Sequence, residues 1–324
     1  MKPTIYINGI GNISPQDTFD QPMGTELAQA ESAFFVCQEP VYKTFIQRKL
    51  LRRMSRVVRM GLAASYKALE QANNPTIDAI VTGTAWGCVK DTEKFLETII
   101  ENNEEYLTPT AFVQSTHNTV GGQIALMHHN NCYNMTYVQG NVSFESALVD
   151  ALLLLWEQKA TNLLVGGIDE QTDQLKVLLK RLTCAIPEKR VMGEGAAFFV
   201  LSTEKTATTK AQLVGARMLY RPNDTAVQNS IQALLKEAGI EALDLVLTGV
   251  ANKTVVDNTA HCTYKQLCGE YPTSSSFATA LAANLVQGDR ATMQALHLEG
   301  DTPKHILIYN EDAVHTSMIL INNA

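Results

Sequence analysis

Short, almost wholly apolar segments alternate with stretches of helical periodicity along this chain, and the order runs through twice. In the first pass, residues 4–9, 79–81, 135–138, 162–165 and 196–201 read as strands. The intervening residues 50–71, 91–101, 117–129 and 143–158 read as helices, and in the first of these Leu51, Met54, Val58, Leu62 and Leu69 fall on one face. Asn73-Asn74-Pro75 ends that helix, and a loop bridges 167 to 196. In the second pass, strands at 212–218, 245–247, 306–309 and 318–321 enclose helices at 226–238, 256–268 and 277–286. Gly239 and Gly269 close the first two of those helices. Strands alternating with helices predict parallel sheets covered on both faces, and strands apolar on both sides predict burial of both faces. The late strand pair predicts an antiparallel edge in each half. The expected division is a half at 1–204 and a half at 205–324, fused into one unit. With 324 residues, 45% of them hydrophobic and 18% charged, the chain can bury one large core or two fused half-cores.

A net charge of -7 gives no general attraction for nucleic acid or anionic lipid. The start has one short apolar run after Lys2 and no small-residue cleavage site, and the longest apolar run, 151–156, is too short to span a bilayer. These features predict a soluble cytoplasmic protein without membrane insertion. Cys37, Cys88, Cys132, Cys184, Cys262 and Cys268 show no CxxC pair or repeated spacing, so they read as reduced, mostly buried thiols. His128, His129 and His261 lack partners at ligand spacing and read as surface positions. No cofactor and no metal is implied.

Several phrases occur in an order that resembles the β-ketoacyl synthases. They are Ile7-Asn8-Gly9-Ile10-Gly11-Asn12-Ile13-Ser14-Pro15, Arg52-Arg53-Met54-Ser55-Arg56, Leu164-Val165-Gly166-Gly167-Ile168-Asp169-Glu170, Gly193-Glu194-Gly195-Ala196-Ala197 and Lys236-Glu237-Ala238-Gly239-Ile240. The most specific phrase, Pro109-Thr110-Ala111-Phe112-Val113-Gln114-Ser115-Thr116-His117-Asn118-Thr119-Val120-Gly121-Gly122-Gln123, resembles the short, polyene-type branch of that family. The resemblance implies a thiolase-like layered α-β-α-β-α fold, built from two related halves with mixed, mainly parallel sheets.

Decarboxylative condensation in that family needs a thiolate to carry the acyl chain and two imidazoles to stabilise developing charge. Matching residues 135–138 to the family's strand places Asn141 at the nucleophile position, with Ser143 two residues on inside the helix, and an amide cannot carry an acyl group. Counting through the second half puts Gly249 at the first imidazole position, or Val250 if one residue slips. Thr279, within one or two positions, stands at the second. The glycine-rich gating loop is matched by Tyr309-Asn310-Glu311-Asp312-Ala313, without its glycines. The Cys-His-His triad is therefore degenerate, and condensing activity is not expected.

Within the family, chain-length-factor subunits replace the cysteine with a polar residue and pair with an active ketosynthase. Asn141 fits that pattern; it also fits a helix cap, and both roles are open. By resemblance, the strand at 135–138 pairs across a dimer axis, with Gln114, His117 and Asn118 near the partner's site. His117 reads either as a satisfied interface histidine or as a functional one. Tyr137, Gln139 and Phe144 line or plug a tunnel. Arg48, Lys49, Arg52, Arg53, Arg56 and Arg59 read either as a solvated face with one or two buried pairs or, at Arg52, Arg53 and Arg56, as docking for an acyl carrier protein. The leading expectation is a non-condensing, chain-length-factor-like partner of an active ketosynthase in polyene biosynthesis of the aryl polyene or flexirubin kind. The alternatives are an acyl-thioester enzyme (acyltransferase or hydrolase) with an unconventional nucleophile, for which Cys88 and Cys262 are candidates, and a homodimeric scaffold.

Overall fold

A computed structural model describes residues 2–21, 23–24, 26–30, 33–183 and 191–324. The first series of elements is β1 (Ile5–Ile13), α1 (Arg48–Leu51), α2 (Arg56–Gln71), β2 (Ala79–Gly83), α3 (Val89–Glu101), α4 (Pro109–Ser115), α5 (Thr119–Met127), β3 (Tyr133–Tyr137), α6 (Ser143–Trp156), β4 (Asn162–Asp169), α7 (Asp173–Thr183) and β5 (Gly195–Ser202). The second is β6 (Ala211–Tyr220), α8 (Asp224–Ala238), β7 (Leu245–Thr248), β8 (Ala260–Thr263), α9 (Lys265–Cys268), α10 (Ser274–Leu285), α11 (Arg290–Ala295), β9 (His305–Glu311) and β10 (His315–Asn322).

Among the described residues the strands form one ten-stranded sheet in the order β3-β2-β4-β5-β1-β6-β10-β9-β7-β8. The order β3-β2-β4-β5-β1 recurs, reflected, as β6-β10-β9-β7-β8. The two sets meet where Ile5, Tyr6 and Ile7 pair antiparallel with Leu213, Gln212 and Ala211. Parallel pairing is confined to the flanks, β2 with β3 and β4, and β7 with β8 and β9. The centre is antiparallel, so the sheet is mixed rather than mainly parallel. The late pair lies inside it and not at an edge, because β10 bonds to β6 as well as to β9.

Helices α2 and α5 cover the outer face of the first half, and α8 covers that of the second. Helices α6 and α10 form the middle layer: α6 packs on β2 and β4 and reaches β6, while α10 packs on β9 and β10 and reaches β4 and β5. This is the α-β-α-β-α stacking that the resemblance implies. Three buried apolar clusters fill the spaces, a central one around α6 and α10, one under α2 and α5, and one under α8. Helix α2 sits close on β1 because Gly9 and Gly11 face it; a Cβ at Gly11 would lie 1.9 Å from Ala64 O, and one at Gly9 2.0 Å from Ala68 O.

Some expectations from sequence change. The helix expected at 50–71 is broken: Ser55 takes an extended conformation, φ -66° and ψ 168°, so α2 begins at Arg56 and α1 is a separate turn. Residues 256–268 do not form one helix. Asn258 has φ 58°, His261 Nε2 accepts a hydrogen bond from Val255 N at 3.0 Å, and Ala260–Thr263 joins β7 as an edge strand. Pairing at a free sheet edge outweighs the apparent helical spacing there. The stretch between β4 and β5 contains α7, whose exposed Val177 and Leu178 hid its helical pattern. Gly239 does close α8, at φ 67°. Cys37, Cys88 and Cys268 are buried and Cys262 is half-buried, but Cys132 is exposed; Cys184 lies outside the described residues. Among the described residues no helix is long and apolar enough to cross a membrane.

Candidate functional site

The three positions that sequence matched to the family's chemistry lie on different elements, Asn141 in the turn before α6, Gly249 just after β7 and Thr279 within α10. A tight turn at Gly140–Val142, with Gly140 at φ 58°, leads into α6. Ser143 Oγ closes the turn by accepting from Gln139 N at 2.8 Å and donating to Gly140 O at 2.7 Å. Asn141 does not cap α6, whose N-cap position is Val142. Its Nδ2 instead donates to Asp312 Oδ2 at 2.9 Å, in the β9–β10 turn. Asp312 Oδ1 accepts from the Val314 and His315 amides at 2.8 and 2.7 Å. Burial alone would raise this carboxyl, but those two amides, Asn141 and His315 hold it below the usual range. The turn between β9 and β10 is thus pinned to the turn before α6. His315 Nδ1 lies 3.5 Å from Asp312 Oδ2, so an imidazole stands near the site, beside a carboxylate and an amide.

Gly249 follows β7, and its amide donates to Tyr309 O at 2.8 Å. The room an imidazole would need is taken: a Cβ at Gly249 would lie 2.2 Å from Asn310 Oδ1, 2.8 Å from Tyr264 Oη and 2.9 Å from Lys265 Cε. Lys265 Nζ is fixed there by Glu270 Oε1 and Oε2 at 2.7 and 2.9 Å and by Asn310 Oδ1 at 2.9 Å. Val250, the alternative position, hydrogen-bonds only through its backbone, with the Thr248 hydroxyl. Thr279 is buried in α10, and its hydroxyl donates to Ser275 O at 2.8 Å. It is therefore spent on its own helix.

Four polar residues of this region were given no role from sequence. Glu145, in the first turn of α6, is fully buried; Ser317 Oγ donates to its Oε1 at 2.7 Å, and Oε2 has no hydrogen-bond partner among the described residues. Burial raises its carboxyl, offset by the Ser317 and Ser275 hydroxyls. Lys265 and Ser317 surround the same space from the second half. Asp169, at the end of β4, receives Thr84 Oγ1, the Ala85 and Trp86 amides and Thr273 Oγ1, at 2.8 to 3.0 Å. It clamps the 84–87 turn to the start of α10, and burial pushes it up to about 6. A carboxylate in the first turn of the apolar stretch 143–156, which holds only one other at Asp150, was the available signal for Glu145. The partners of Lys265 are split between Glu270 and Asn310, so local sequence did not reveal its role.

Other sequence-selected residues fall in distinct places. Phe144 is fully buried, with its ring 5.9 Å from Phe199. Gln139 accepts a hydrogen bond from Ser146 Oγ, and Tyr137, half-buried at the end of β3, lies beside Tyr133 and Asp150. His117 is exposed, with its ring against Gly87, and Asn118 Oδ1 accepts from Thr116 Oγ1 at 2.7 Å at the start of α5. Gln114 faces a different feature, a cavity of about 880 Å³ shared with Arg52, Arg53 and Arg56. Arg52 and Arg53 are exposed. Arg56 is committed: its Nη1 and Nη2 donate to Glu194 at 2.7 and 2.6 Å, and its Nε donates to Glu39. Glu194 also accepts the Cys37 and Gln171 amides, each at 2.9 Å.

The Sγ atoms of Cys37, Cys262 and Cys268 hydrogen-bond backbone carbonyls of Ile13 and Glu194, of Leu296, and of Tyr264 and Gly269. Burial pushes the Cys88 thiol up to about 12 and raises those of Cys37, Cys262 and Cys268. At neutral pH these thiols are protonated and poor nucleophiles. His128 hydrogen-bonds Ser65 at 3.1 Å and packs its ring tilted against Tyr66, centroids 4.3 Å apart; burial pulls it down to about 4. His261 accepts from Val255 N and His129 is exposed.

The model of the β-ketoacyl synthase N-terminal domain matches residues 28–221. Among solved structures, the ishigamide ketosynthase/chain length factor aligns with a TM-score of 0.78 at 15% identity, covering 100% of both chains. A type II polyketide acyl carrier protein in complex with its ketosynthase bound to the hexaketide aligns at 0.78 and 15%, again over 100% of both chains. A ketosynthase in complex with its chain length factor from Xenorhabdus doucetiae aligns at 0.73 and 14%, covering 99% of this chain and 98% of that one. No curated protein sequence matches the chain. At these identities the structural likeness establishes the fold.

Proposed function

The chain belongs to the β-ketoacyl synthase family, and on that premise we propose that it is a non-condensing subunit of chain-length-factor type that pairs with an active ketosynthase. The observation that carries this reading is the bond from Asn141 to Asp312, beside an imidazole position already filled by Asn310, Tyr264 and Lys265. A thiolate and two imidazoles are replaced by an amide, a glycine and a back-bonded threonine, so the charge-stabilising donors that condensation requires have no counterpart. Two similar solved structures are of a ketosynthase with its chain length factor, which agrees with a paired role.

The partner face in this reading is the β3 edge. Tyr133 and Met135 on β3 at the sheet's end, and Val138 just after it, are exposed by 40, 41 and 45%, and Leu126, Phe112 and Val113 are exposed on the neighbouring α5 and α4. An apolar sheet edge of this kind is favourable to cover. His117 and Asn118 stand between those helices, and Tyr137 and Gln139 follow the edge strand, so they flank the shared site. Arg52 and Arg53 receive an acyl carrier protein, while Arg56 supports the turn from within; a similar solved structure is of an acyl carrier protein in complex with its ketosynthase. The resemblance of the phrase at 109–123 to the polyene-type branch supports a place in polyene biosynthesis, with the complex working in the cytoplasm. The recurring strand order supports halves at 1–204 and 205–324.

Co-expression with a ketosynthase from the same gene neighbourhood, followed by native mass spectrometry, tests the reading. A one-to-one heterodimer is expected. A homodimer alone in the presence of that partner replaces this reading with the scaffold, and covalent labelling by an acyl-thioester probe replaces it with an enzyme.

A further inference from the structure

The apolar face at the β3 edge carries an acidic group that has no counter-charge among the described residues. From Pro109 to Trp156, the stretch that supplies α4, α5, β3 and α6, the sequence has no lysine or arginine, and its carboxylates are Glu145 and Asp150. Glu145 is fully buried and bonded to Ser317, so Asp150 is the carboxylate that this stretch turns outward. Tyr133 Oη donates to Asp150 Oδ2 at 3.0 Å, and Tyr137, on the same side of β3 as Tyr133 and Met135, lies beside the pair. Desolvation and the bond to Asp150 push Tyr133 up to about 12, so its hydroxyl is a donor throughout the neutral range. No lysine, arginine or histidine nitrogen lies within 4 Å of Asp150 among the described residues.

The surroundings of Asp150 are apolar and open. Met135 on β3, Leu153 one turn further along α6 and Leu126 on α5 are all exposed. A chain that covers them strips water from Asp150, and a carboxylate left with neither water nor a counter-charge is costly to hold. A second copy of this chain supplies no such counter-charge from the same stretch. An isologous contact sets one patch against itself, so it brings two Asp150 carboxylates into one apolar interface, with no lysine or arginine from residues 109–156 to separate them. The histidines of the stretch have other places. His128 bonds Ser65 and is pulled down to about 4 by burial, His117 packs against Gly87, and His129 follows the end of α5.

On the premise of pairing through the β3 edge, as proposed above, we infer that Asp150 chooses the partner. The ketosynthase that docks here presents a lysine or arginine to the cluster of Tyr133, Asp150 and Tyr137, and the same carboxylate opposes docking of a second copy. One group thereby attracts the right chain and repels the wrong one. Tyr133 holds the carboxylate in position for the incoming cation.

Sedimentation velocity of the purified full-length chain at pH 8 and 0.15 M salt reads self-association, and titration with the ketosynthase of the same gene neighbourhood reads the heterodimer. At that pH an ordinary histidine is uncharged. Asp150→Asn keeps the shape of the side chain and removes its charge; it strengthens self-association and weakens the heterodimer, each by about threefold or more. If that variant unfolds, Asp150→Ser is read in the same way. Met135→Arg, a bulky substitution in the middle of β3 read only in the heterodimer titration, separates this inference from the pairing beneath it. Loss of the heterodimer with Met135→Arg, while removal of the Asp150 charge shifts either equilibrium by less than about threefold or in the opposite direction, overturns the inference and leaves pairing through β3 standing. A heterodimer untouched by Met135→Arg, or none formed by the parent chain, overturns both.

Discussion

Asn141 Nδ2 donates to Asp312 Oδ2 across 2.9 Å, joining the turn before α6 in the first half to the β9–β10 turn in the second. In a condensing relative the resemblance places a nucleophile at one end of this contact and a mobile gate at the other. Here the same two positions hold each other, and Asp312 further ties down its own turn through the Val314 and His315 amides.

Asp312→Ala removes three hydrogen bonds, and urea unfolding is expected to lose about 2–3 kcal/mol. Asn141→Ala costs about 1 kcal/mol, and the double variant falls short of the sum by about 1 kcal/mol, the coupling of one charge-assisted pair. Strict additivity would show that the contact contributes nothing.

Gly249→Ala is expected to destabilise by about 1–3 kcal/mol, because its Cβ would meet Asn310 Oδ1 at 2.2 Å and force Asn310 off Lys265. Asn310→Ala in the same chain recovers most of the loss. Gly249→His with Asn141→Cys therefore restores no condensing activity, since the space for the ring is occupied by Tyr264 and Lys265 as well.

Iodoacetamide at pH 7.5 is expected to modify the exposed Cys132 first. Cys88, with its thiol near 12, reacts at least about 100-fold more slowly, read by peptide mass spectrometry. Rapid labelling of Cys88 in the folded chain would reopen it as a nucleophile.

Glu170 holds its proton up to about pH 7 when folded, against 4.5 ordinarily, so between those values the folded chain binds more protons than the unfolded one. Stability from this group falls as pH rises through that window and levels off above it. Asp169, raised from 3.8 to about 6, acts in the same direction, whereas His128, lowered from 6.5 to about 4, acts oppositely. The difference between parent and Glu170→Gln isolates the first. The variant gains relative to the parent as pH rises from 5 to 8, by at most on the order of 3 kcal/mol, measured by denaturant unfolding at each pH. A difference independent of pH would mean that Glu170 is ionised throughout.

The alternation of apolar strands and helical stretches carried the layered fold, because β1, β4, β5, β9 and β10 are buried along almost their whole length and leave little choice of partner faces. Gly239 was legible since its backbone conformation is a local property. What local pattern missed depends on distant partners. Strand β8 exists because β7 has a free edge, and Arg56 is held in place by Glu194, 138 residues away. The same holds at the site. Sequence singled out Asn141 and Gly249 by resemblance, but the crowding of the second by Asn310, Tyr264 and Lys265 needs separate segments to meet. The degree of helix capping by Asn141 was undecidable locally, because the competing acceptor, Asp312, lies 171 residues on.

The most direct test is a decarboxylative condensation assay with isotope-labelled malonyl-carrier protein, run on the purified chain, on a partner ketosynthase, and on their one-to-one complex. The account predicts no labelled ketoacyl product from the chain alone, and product from the complex that survives Asn141→Ala but disappears when the partner's nucleophile is removed. Product formed by the chain alone would contradict it.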